Sequence, residues 1–516
     1  MSNAIIIYLV AFAAYMLLMI LIGALNSKNE TNEDYFLAGR GLGSWTAALS
    51  AQASDMSGWM LMGLPGAIYV AGTGEVWIAI GLLIGTALNW MFVARRLRKY
   101  TIVANNSLTI PSFFENRFHD KKGALKIVSS IIIILFFAVY TASAFSSGAK
   151  LFSRVFGAAG DENTMYLVGL IVAAVVILIY TFLGGFKAVC YTDFIQGMLM
   201  LVAILAVPIL AYAAITRDFG SLTNALTVNG GVADAAGYLS FFKDSDGNPL
   251  TAVNIISNLA WAFGYFGMPH ILVRFMAIKS DREVKKSRVI AIVWVVLSLT
   301  AACILGIVAR AYLNPQLSDS ETVFIETIKS IFSGNFVLVF IGGIFLCGIL
   351  AAIMSTADSQ LLVTASAVSE DMYKGVIDKN ASEKKALNVG RIAVVVIAVV
   401  AFVIALNPNS SIMGLVSDAW AGFGAAFGPV VLLSLFWKRF NLAGAVSGMA
   451  VGALTVILWD YIPLAGGATL GSVTGLYSLA IGFPLALIAA LVVALIGRSP
   501  SKEIQDEFDK VKTVEI

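Results

Sequence analysis

Charged side chains are scarce in this sequence: Asp, Glu, Lys and Arg make up 13% of its 516 residues. The mean hydropathy of +0.87 excludes an ordinary soluble protein, because a soluble chain of this size needs far more polar surface. The sequence has only three cysteines, and all of them lie in apolar runs without the spacing of a metal site. We therefore expect these cysteines to be small buried side chains and expect no disulfides.

The sequence also lacks the motifs of the common enzyme classes. It has no Walker loop, no HExxH and no GxSxG motif, and no soluble stretch large enough for an ATPase domain. If the protein moves a solute uphill, the energy must therefore come from an ion gradient.

Long apolar runs are present in abundance. Runs of about 20 residues recur along the chain, and each is long enough to cross roughly 30 Å of hydrocarbon as a helix. We predict an all-α polytopic membrane protein with thirteen membrane-spanning segments, numbered 1 to 13 in chain order. The predicted bounds are 4–26, 45–70, 75–94, 126–149, 164–184, 190–214, 253–273, 288–312, 335–369, 390–406, 412–436, 441–462 and 471–497.

The positions of the positive charges predict the orientation. Most lysines and arginines follow odd-numbered segments or lie in the tail, which predicts an external N-terminus and a cytoplasmic C-terminus. Segment 1 is too long for the apolar region of a signal peptide and lacks a basic flank, so we expect it to stay uncleaved. Residues 1–497 then form one transmembrane domain in the cytoplasmic membrane, and residues 498–516 a charged cytoplasmic tail that we expect to be mobile.

Segment 2 contains the stretch AQASDMSGWMLMGLPG (51–66), which places Asp55 inside an apolar run. An ionised carboxylate near the bilayer centre costs roughly 2.5–3.5 kcal/mol on insertion scales, so it is a candidate for function with a cation as partner. The alternative is an Asp that is paired for structure alone. No predicted segment has a Lys or Arg deep in its centre, and this favours the functional interpretation.

Small and helix-breaking residues surround Asp55, and segment 7 repeats the pattern. A membrane helix interrupted here frees carbonyl oxygens, which bind hard cations, and exposes a half-helix N-terminus, which suits a carboxylate. A simple proline kink is the alternative. The residues concerned are Ala53, Ser54, Ser57, Gly58, Gly63, Pro65 and Gly66 in segment 2, and Gly264, Gly267 and Pro269 in segment 7.

The two interrupted segments lie five segments apart. A repeat with an odd number of segments must be inverted in the membrane, so the spacing predicts inverted repeats over about 45–214 and 253–436. In transporters built this way, the binding site lies where the interrupted helices of the two repeats meet.

Segment 9 supplies hydroxyl groups in the run LAAIMSTADSQLLVTAS, which begins at Leu350. Ser355, Thr356 and Ser359 share one helix face with Ala352. Hydroxyl and carbonyl oxygens together can cage a small hard cation. The alternative is hydrogen bonding back to the carbonyl four residues earlier, or across helices.

Aromatic side chains lie near both interruptions. Trp59 follows Gly58, Tyr140 lies well inside segment 4, and Trp261 and Tyr265 are one helical turn apart in segment 7. Such rings can clamp a small apolar body while their polar groups orient its other end. Ordinary helix packing is the alternative for each ring taken alone.

Other polar residues receive simpler interpretations. We expect His119 to be solvated in a cytoplasmic loop, His270 to be structural, and Asp193 to cap segment 6. Arg40 is most simply a positive-inside residue, although it can also close a cytoplasmic gate with an acid. Asp358 is a second deep carboxylate without an assigned role.

With these residues assembled, the sequence closely resembles the proline-transporting members of the solute:sodium symporter family. The resemblance covers nearly the whole chain, from DYFLAGR (34–40) to segment 13. It depends on long runs, which are ALSAQASDMSGWMLMGLPGA (48–67), YTFLGGFKAVCYTDFIQ (180–196), GYFGMPHILVRFMA (264–277), LAAIMSTADSQLLV (350–363) and AWAGFGAAFGPVVL (419–432).

The resemblance implies a LeuT-type fold, with a five-plus-five inverted core and extra flanking helices, and it implies site residues. The family's sodium site maps onto the carbonyl groups of Ala53, Met56 and Ala352 and the hydroxyl groups of Ser355 and Thr356. Its essential carboxylate matches Asp55. Its proline pocket matches Ser57, Gly58, Trp59, Tyr140, Trp261, Tyr265 and Pro269. The sequence departs from the family's pattern at Met268, where a polar amide is expected, and at Gln52, where a small residue is expected.

The sequence thus predicts a secondary transporter, not an enzyme, that imports L-proline together with Na⁺ across the cytoplasmic membrane. We expect the protein to lie in the lipid bilayer, and we expect it to bind neither nucleic acid nor an obligate protein partner. Three alternatives stay open: a symporter of another solute, such as another amino acid or pantothenate; an ion channel; and a membrane sensor or enzyme. Residues 498–516 are too short to supply the output domain that a sensor would need.

Overall fold

Helices joined by turns and loops make up the part of the chain that the computed structural model describes, which is residues 3–26, 32–157, 161–183, 185–464 and 466–516. A helix satisfies its backbone hydrogen bonds within one segment, which the interior of a bilayer demands. Among the described residues, eleven helices are long and apolar enough to cross a membrane. They correspond to every predicted segment except 2 and 7, and their bounds are Asn3–Leu25, Thr73–Val103, Ala124–Phe156, Asn163–Phe182, Phe186–Phe219, Asp281–Tyr312, Phe336–Ile377, Glu383–Ile404, Ile412–Phe436, Leu442–Asp460 and Ser478–Ile496.

Most of these helices extend beyond the predicted apolar runs. Segment 3 continues to Val103 and segment 9 to Ile377, because polar residues at the end of an apolar run do not stop a helix. Segment 13 starts later than predicted, at Ser478, because Leu470–Thr474 forms a separate short helix that ends at Gly475 in the left-handed conformation.

Segment 2 is interrupted, as predicted, but not at its proline. One helix spans Ser44–Asp55, and the next helical stretch starts at Trp59 with a wide turn and continues to Ala71. Pro65 lies directly after the wide turn Trp59–Gly63, inside the continuous helical stretch that ends at Ala71, so the proline does not interrupt segment 2. The break therefore lies at residues 56–58, where the sequence offers small residues next to Asp55.

Segment 7 is interrupted as well. A helix spans Ala252–Leu259, a tighter 3₁₀ stretch follows over Ala260–Phe266, and a second helix spans Pro269–Met276. Met268 is extended (φ −75°, ψ 107°), as is usual for a residue that precedes proline.

The two interrupted segments lie inside the helical bundle. Segment 2 contacts segments 6, 8 and 9, and the 3₁₀ stretch of segment 7 contacts segments 3 and 11. Segments 12 and 13 pack on each other and on segment 11, while segment 1 packs on segments 6 and 9. This arrangement places both breaks away from the outer surface of the bundle.

The C-terminal tail is docked, which corrects the expectation of a mobile tail. Residues Lys502–Lys510 form a helix, and Phe508 is buried beside the guanidinium of Arg96, 4.8 Å from its ring centre. Lys438 pairs with Asp509, and this hydrogen bond holds the pKa of the Asp509 carboxyl below its usual range. An apolar side chain and complementary charges thus hold the tail, which its charged composition did not reveal.

Candidate functional site

The interruption of segment 2 releases the main-chain carbonyl of Ala53. In a continuous helix this oxygen would accept the N–H of Ser57, four residues later. Instead the helix ends at Asp55, Met56 leaves the helical region (φ −88°, ψ 79°), and the Ser57 N–H donates to the Asp55 carbonyl oxygen at 3.1 Å. The Ala53 carbonyl is therefore available to another element.

Two hydroxyl groups of segment 9 reach that carbonyl. The Ala53 oxygen accepts hydrogen bonds from Ser355 Oγ at 2.7 Å and from Thr356 Oγ1 at 3.5 Å. Ser355 Oγ also lies 2.8 Å from the Ala351 oxygen and 3.3 Å from the Ala352 oxygen, so its single hydroxyl hydrogen has acceptors both along its own helix and across to segment 2. The result is a fully buried junction of oxygen atoms, the ligand type that small hard cations prefer.

Asp55 connects segments 2, 4 and 7 beside this junction. Its Oδ2 accepts a hydrogen bond from the Tyr265 hydroxyl at 2.7 Å. Its main-chain oxygen accepts hydrogen bonds from Trp59 Nε1 at 3.0 Å and from the Tyr140 hydroxyl at 3.3 Å. The other carboxylate oxygen is buried and has no hydrogen-bond partner among the described residues. A buried carboxylate with an unpartnered oxygen is costly unless a cation balances it.

The break itself is narrow on the side that faces segment 4. A Cβ atom at Gly58 would overlap the side chain of Ser147, so this position accommodates only glycine without a shift. Ser57 Oγ accepts the Trp59 N–H at 3.4 Å, which orients the first turn of the second half-helix. The structure therefore groups Ser57, Gly58 and Trp59 around Asp55, together with the two tyrosines named above.

Trp261 lies in a stack of aromatic rings. Its indole is stacked with Trp420, with ring centres 6.2 Å apart, and with Tyr477, at 5.4 Å. Trp420 in turn meets Tyr265 edge-on at 5.0 Å. Trp261 thus connects to Asp55 through Trp420 and Tyr265, and neither Trp420 nor Tyr477 was expected at the site from the sequence.

Met56 and Pro269 occupy different places. Met56 lies in the break, is fully buried, and its Sδ accepts a hydrogen bond from Ser298 Oγ at 3.6 Å. Pro269 begins the second helix of segment 7 and lines a cavity together with Arg274 and Ser359. Of the residues predicted to line the proline pocket, Pro269 is the one that lines this cavity beside Arg274.

A buried arginine corrects two sequence interpretations. Arg274, assigned to a cytoplasmic loop, is 1% exposed and forms an ion pair with Asp193 at 2.9 Å. Its other bonds go to Ser50 Oγ at 2.9 Å and Ser359 Oγ at 2.5 Å, and Ser50 Oγ also donates to Asp193 at 2.6 Å. Segments 2, 6, 7 and 9 thus meet at one polar cluster. The bundle does contain a deep arginine, but it pairs with Asp193 and not with Asp55.

Asp193 does not cap segment 6, because that helix already starts at Phe186. The predicted end of segment 7 was also wrong. The apolar run ends just before Arg274, but the buried helix Pro269–Met276 continues and includes this arginine. Asp358 joins the cluster through Ser359 Oγ at 3.3 Å. The carbonyl oxygen of His270 accepts a hydrogen bond from Arg274, which fits the structural role expected for His270.

Two further polar residues have partners. Arg40 is buried, pairs with Glu33 at 3.2 Å and donates to the Met276 carbonyl at 2.9 Å, so it links segment 7 to an acid. His119 was expected to be solvated, but its Nε2 lies 3.0 Å from a carboxylate oxygen of Glu507 in the docked tail.

Two interrupted helices, a buried oxygen junction between segments 2 and 9, and an adjacent buried carboxylate define an ion-coupled membrane transporter. Residues 35–452 match the model of the Sodium:solute symporter family, and the chain belongs to this family. Its coupling ion is Na⁺, and it is a multi-pass protein of the cell membrane. The family predicted from the sequence is thereby confirmed.

Curated relatives extend over nearly the whole chain. The chain is 43% identical over 498 residues to the osmoregulated proline transporter OpuE of Bacillus subtilis (strain 168), with 96% of each chain covered. It is 42% identical over 515 residues to the sodium/proline symporter of Staphylococcus aureus (strain JH9), covering 98% of this chain and 96% of the relative. These relatives are transporters and not enzymes.

Solved structures show the same fold. A Na⁺-coupled sialic acid symporter, in a substrate-bound outward-open state, superposes with a TM-score of 0.73 at 20% identity and covers 96% of this chain and 98% of its own. Mhp1, a nucleobase-cation-symport-1 family transporter in a closed conformation, superposes with a TM-score of 0.54 at 13% identity, covering 93% and 99%. The expected class of helical transporter with LeuT-like neighbours is confirmed.

Proposed function

We propose that this protein imports L-proline across the cell membrane by symport with Na⁺. The observation that carries the proposal is the junction of Ala53 with Ser355 and Thr356, next to the aromatic group around Asp55. The names of two relatives that cover nearly the whole chain support proline as the solute.

The sodium ion binds at the oxygen junction in this proposal. Its ligands are the carbonyl oxygens of Ala53, Met56 and Ala352 and the hydroxyl oxygens of Ser355 and Thr356. The bonds that now join Ser355 and Thr356 to Ala53 support this assignment, because the two hydroxyl groups can turn their hydrogen atoms away and present oxygen lone pairs to a cation beside the Ala53 carbonyl oxygen. Bound sodium then holds segments 2 and 9 together and orders the break.

Proline binds beside the ion in a pocket of Ser57, Gly58, Trp59, Tyr140, Trp261 and Tyr265. The sequence also predicts Pro269 in this pocket, although Pro269 lines the cavity beside Arg274. The N-terminus of the half-helix Trp59–Ala71 carries the positive end of the helix dipole, which suits the carboxylate of the solute. Its ammonium group is held by the field of Asp55, and its ring packs against the aromatic side chains. Because proline has no flexible side chain, a tight aromatic pocket selects it at a low entropic cost.

Coupling follows from this adjacency. Sodium must raise the affinity for proline, and proline must raise the affinity for sodium by the same factor. One Na⁺ that moves down a potential of about 100 mV supplies roughly 2.3 kcal/mol, which corresponds to a more than tenfold concentration ratio.

The proposal includes the predicted topology. Segments 2 to 6 and 7 to 11 form the inverted repeats, at about 45–214 and 253–436, within a single domain over residues 1–497. Eleven long helices together with the interrupted segments 2 and 7 support the count of thirteen segments. An external N-terminus and a cytoplasmic tail over residues 498–516 follow from the distribution of positive charge.

The test is uptake of radiolabelled L-proline into proteoliposomes that contain the purified protein. We expect accumulation with an inward Na⁺ gradient and only background uptake when choline replaces Na⁺. Unlabelled proline should compete, whereas other amino acids and pantothenate should not. Na⁺-dependent uptake of one of those solutes instead of proline would preserve the class and overturn the proposed substrate.

A further inference from the structure

Segment 13, which lies outside the proposed inverted repeats, contributes a side chain to the surroundings of Trp261. Tyr477 immediately precedes the helix Ser478–Ile496, and its ring is stacked on the Trp261 indole with centres 5.4 Å apart and planes 23° apart. The Tyr477 hydroxyl donates to the Ser417 carbonyl of segment 11 at 2.7 Å. Its N–H donates to Ser257 Oγ of segment 7 at 3.0 Å. The tyrosine is therefore fixed at both ends before it touches Trp261.

The main chain of Trp261 is held from segment 11. Trp420 Nε1 donates to the Trp261 carbonyl oxygen at 2.8 Å, and the two indoles are stacked with planes 28° apart. The close approach depends on Gly264, because a Cβ atom there would overlap the Trp420 indole. The backbone of Trp261 is thus positioned by Trp420, whereas its indole is held by both neighbouring rings.

The orientation of this indole matters because of where it lies. Residues Ala260–Phe266 form a 3₁₀ stretch, whose hydrogen bonds are poorer than those of an α-helix, so the local backbone holds Trp261 less firmly. If the indole leaves its binding-competent orientation part of the time, the apparent dissociation constant of a solute that needs it rises in proportion.

We propose that Tyr477 is a positioning residue that sets the orientation of Trp261, and through it the affinity and ring-size preference for the imino acid. This inference rests on the proposed function, since it assumes that Trp261 lines the proline pocket. Tyr477 itself does not touch the solute. It acts by keeping the indole in one orientation, so its effect falls on solute affinity and not on the sodium junction.

The test compares two substitutions of Tyr477 in full-length protein reconstituted in proteoliposomes. Tyr477→Leu removes the ring, and we expect the KM for proline to rise about three- to tenfold with little change in maximal rate or in the sodium concentration for half-maximal uptake. Tyr477→Phe keeps the ring and loses only the bond to Ser417, so its KM should stay within about twofold of the original.

Competition by imino acids of different ring size measures selectivity. In the original protein we expect the four-membered azetidine-2-carboxylate and the six-membered pipecolate to compete less well than proline. In Tyr477→Leu the six-membered ring should gain relative to proline, because a released indole leaves more room.

A matched control is available in Tyr461. Its hydroxyl donates to Asp418 of segment 11 at 2.5 Å, and the residue is 49% exposed. Tyr461→Leu removes the same atoms from the same end of the bundle but leaves the stack intact, so its KM should be unchanged.

The inference is overturned if Tyr477→Leu leaves the KM unchanged, or if only its maximal rate falls. If Tyr477→Leu does not yield folded protein, Ser257→Ala is the second variant, because it removes the hydrogen bond to the Tyr477 N–H. We expect its KM for proline to rise, and an unchanged KM also overturns the inference. If the original protein shows no Na⁺-dependent proline uptake, the proposed function fails, which is a different result from a normal uptake that Tyr477 does not influence.

Discussion

The hydroxyl of Ser355 donates a 2.7 Å hydrogen bond to the main-chain carbonyl of Ala53, from one fully buried residue to another 302 positions away in sequence. This bond exists because the helix of segment 2 ends at Asp55 and leaves the Ala53 oxygen without its usual partner. It joins segments 2 and 9 at the point where the protein breaks a membrane helix. The predictions below test what that junction and its surroundings do.

The neighbouring hydroxyl gives the first prediction. Thr356→Ala removes one proposed sodium ligand, so the Na⁺ concentration for half-maximal uptake should rise about tenfold, the effect of losing roughly 1.4 kcal/mol of binding. The measurement is proline uptake against Na⁺ concentration in proteoliposomes. Thr364→Ala is the control, because the Thr364 hydroxyl lies in the same helix and bonds back to the Gln360 carbonyl at 2.8 Å. An equal Na⁺ dependence in both variants would place the ion elsewhere.

Asp55→Asn tests the carboxylate. The substitution keeps the shape of the side chain and an acceptor for the Tyr265 hydroxyl, but it removes the negative charge. We expect Na⁺-stimulated uptake to fall at least about 100-fold, while the amount of protein in the membrane stays the same. Quantitative immunoblotting of membranes beside uptake assays separates the two quantities. Full Na⁺-stimulated uptake by Asp55→Asn would remove the carboxylate from the coupling mechanism.

The buried ion pair between Arg274 and Asp193 predicts a stability effect. Arg274→Met leaves the Asp193 carboxylate buried without its cation and should lower the free energy of unfolding by about 3–5 kcal/mol. The double variant with Asp193→Asn should recover much of that loss, because neither charge is left alone. Unfolding in detergent micelles, followed by circular dichroism, gives the comparison.

The control for the ion pair is Arg217→Ala, since Arg217 pairs with Asp218 on the surface with 76% of its side chain exposed. Exposed pairs contribute little, so its unfolding should be indistinguishable from that of the original protein. Equal stability of Arg274→Met and Arg217→Ala would contradict the buried cluster.

The docked tail predicts a protease-sensitive variant. Phe508→Ala removes a buried ring beside Arg96 and Tyr100, which should cost about 2 kcal/mol of docking and open the tail more than tenfold as often. Limited trypsin digestion should then cleave the tail after Lys502, Lys510 and Lys512 more than tenfold faster than in the original protein. Asp506→Ala is the control, because it changes an exposed position of the same helix and leaves every trypsin site in place, and equal cleavage of both variants would argue against docking.

The sequence was sufficient for features that depend on local pattern. Segment 11 begins and ends as predicted, at Ile412 and Phe436, because a long apolar run is flanked by polar turns. The interruption beside Asp55 was also predictable, since small residues and a buried charge coincide there. The position of the break was less predictable: Pro65 suggested a kink, but the helical stretch Trp59–Ala71 continues through Pro65, and the break lies upstream.

Features that depend on distant partners were not predictable. Arg274 was interpreted as a loop charge, because nothing near it in sequence shows that Asp193, Ser50 and Ser359 surround it. The stack of Trp420 and Tyr477 on Trp261 joins three segments, and no single run of sequence carries that information.

The most direct test of the account is the binding of L-proline to the purified protein at a series of Na⁺ concentrations, with choline keeping the ionic strength constant. We predict that Na⁺ tightens proline binding at least tenfold, that proline tightens Na⁺ binding by the same factor, and that Thr356→Ala shifts both dependences to higher Na⁺. Proline affinity that is the same in Na⁺ and in choline would contradict a sodium ion held between segments 2 and 9.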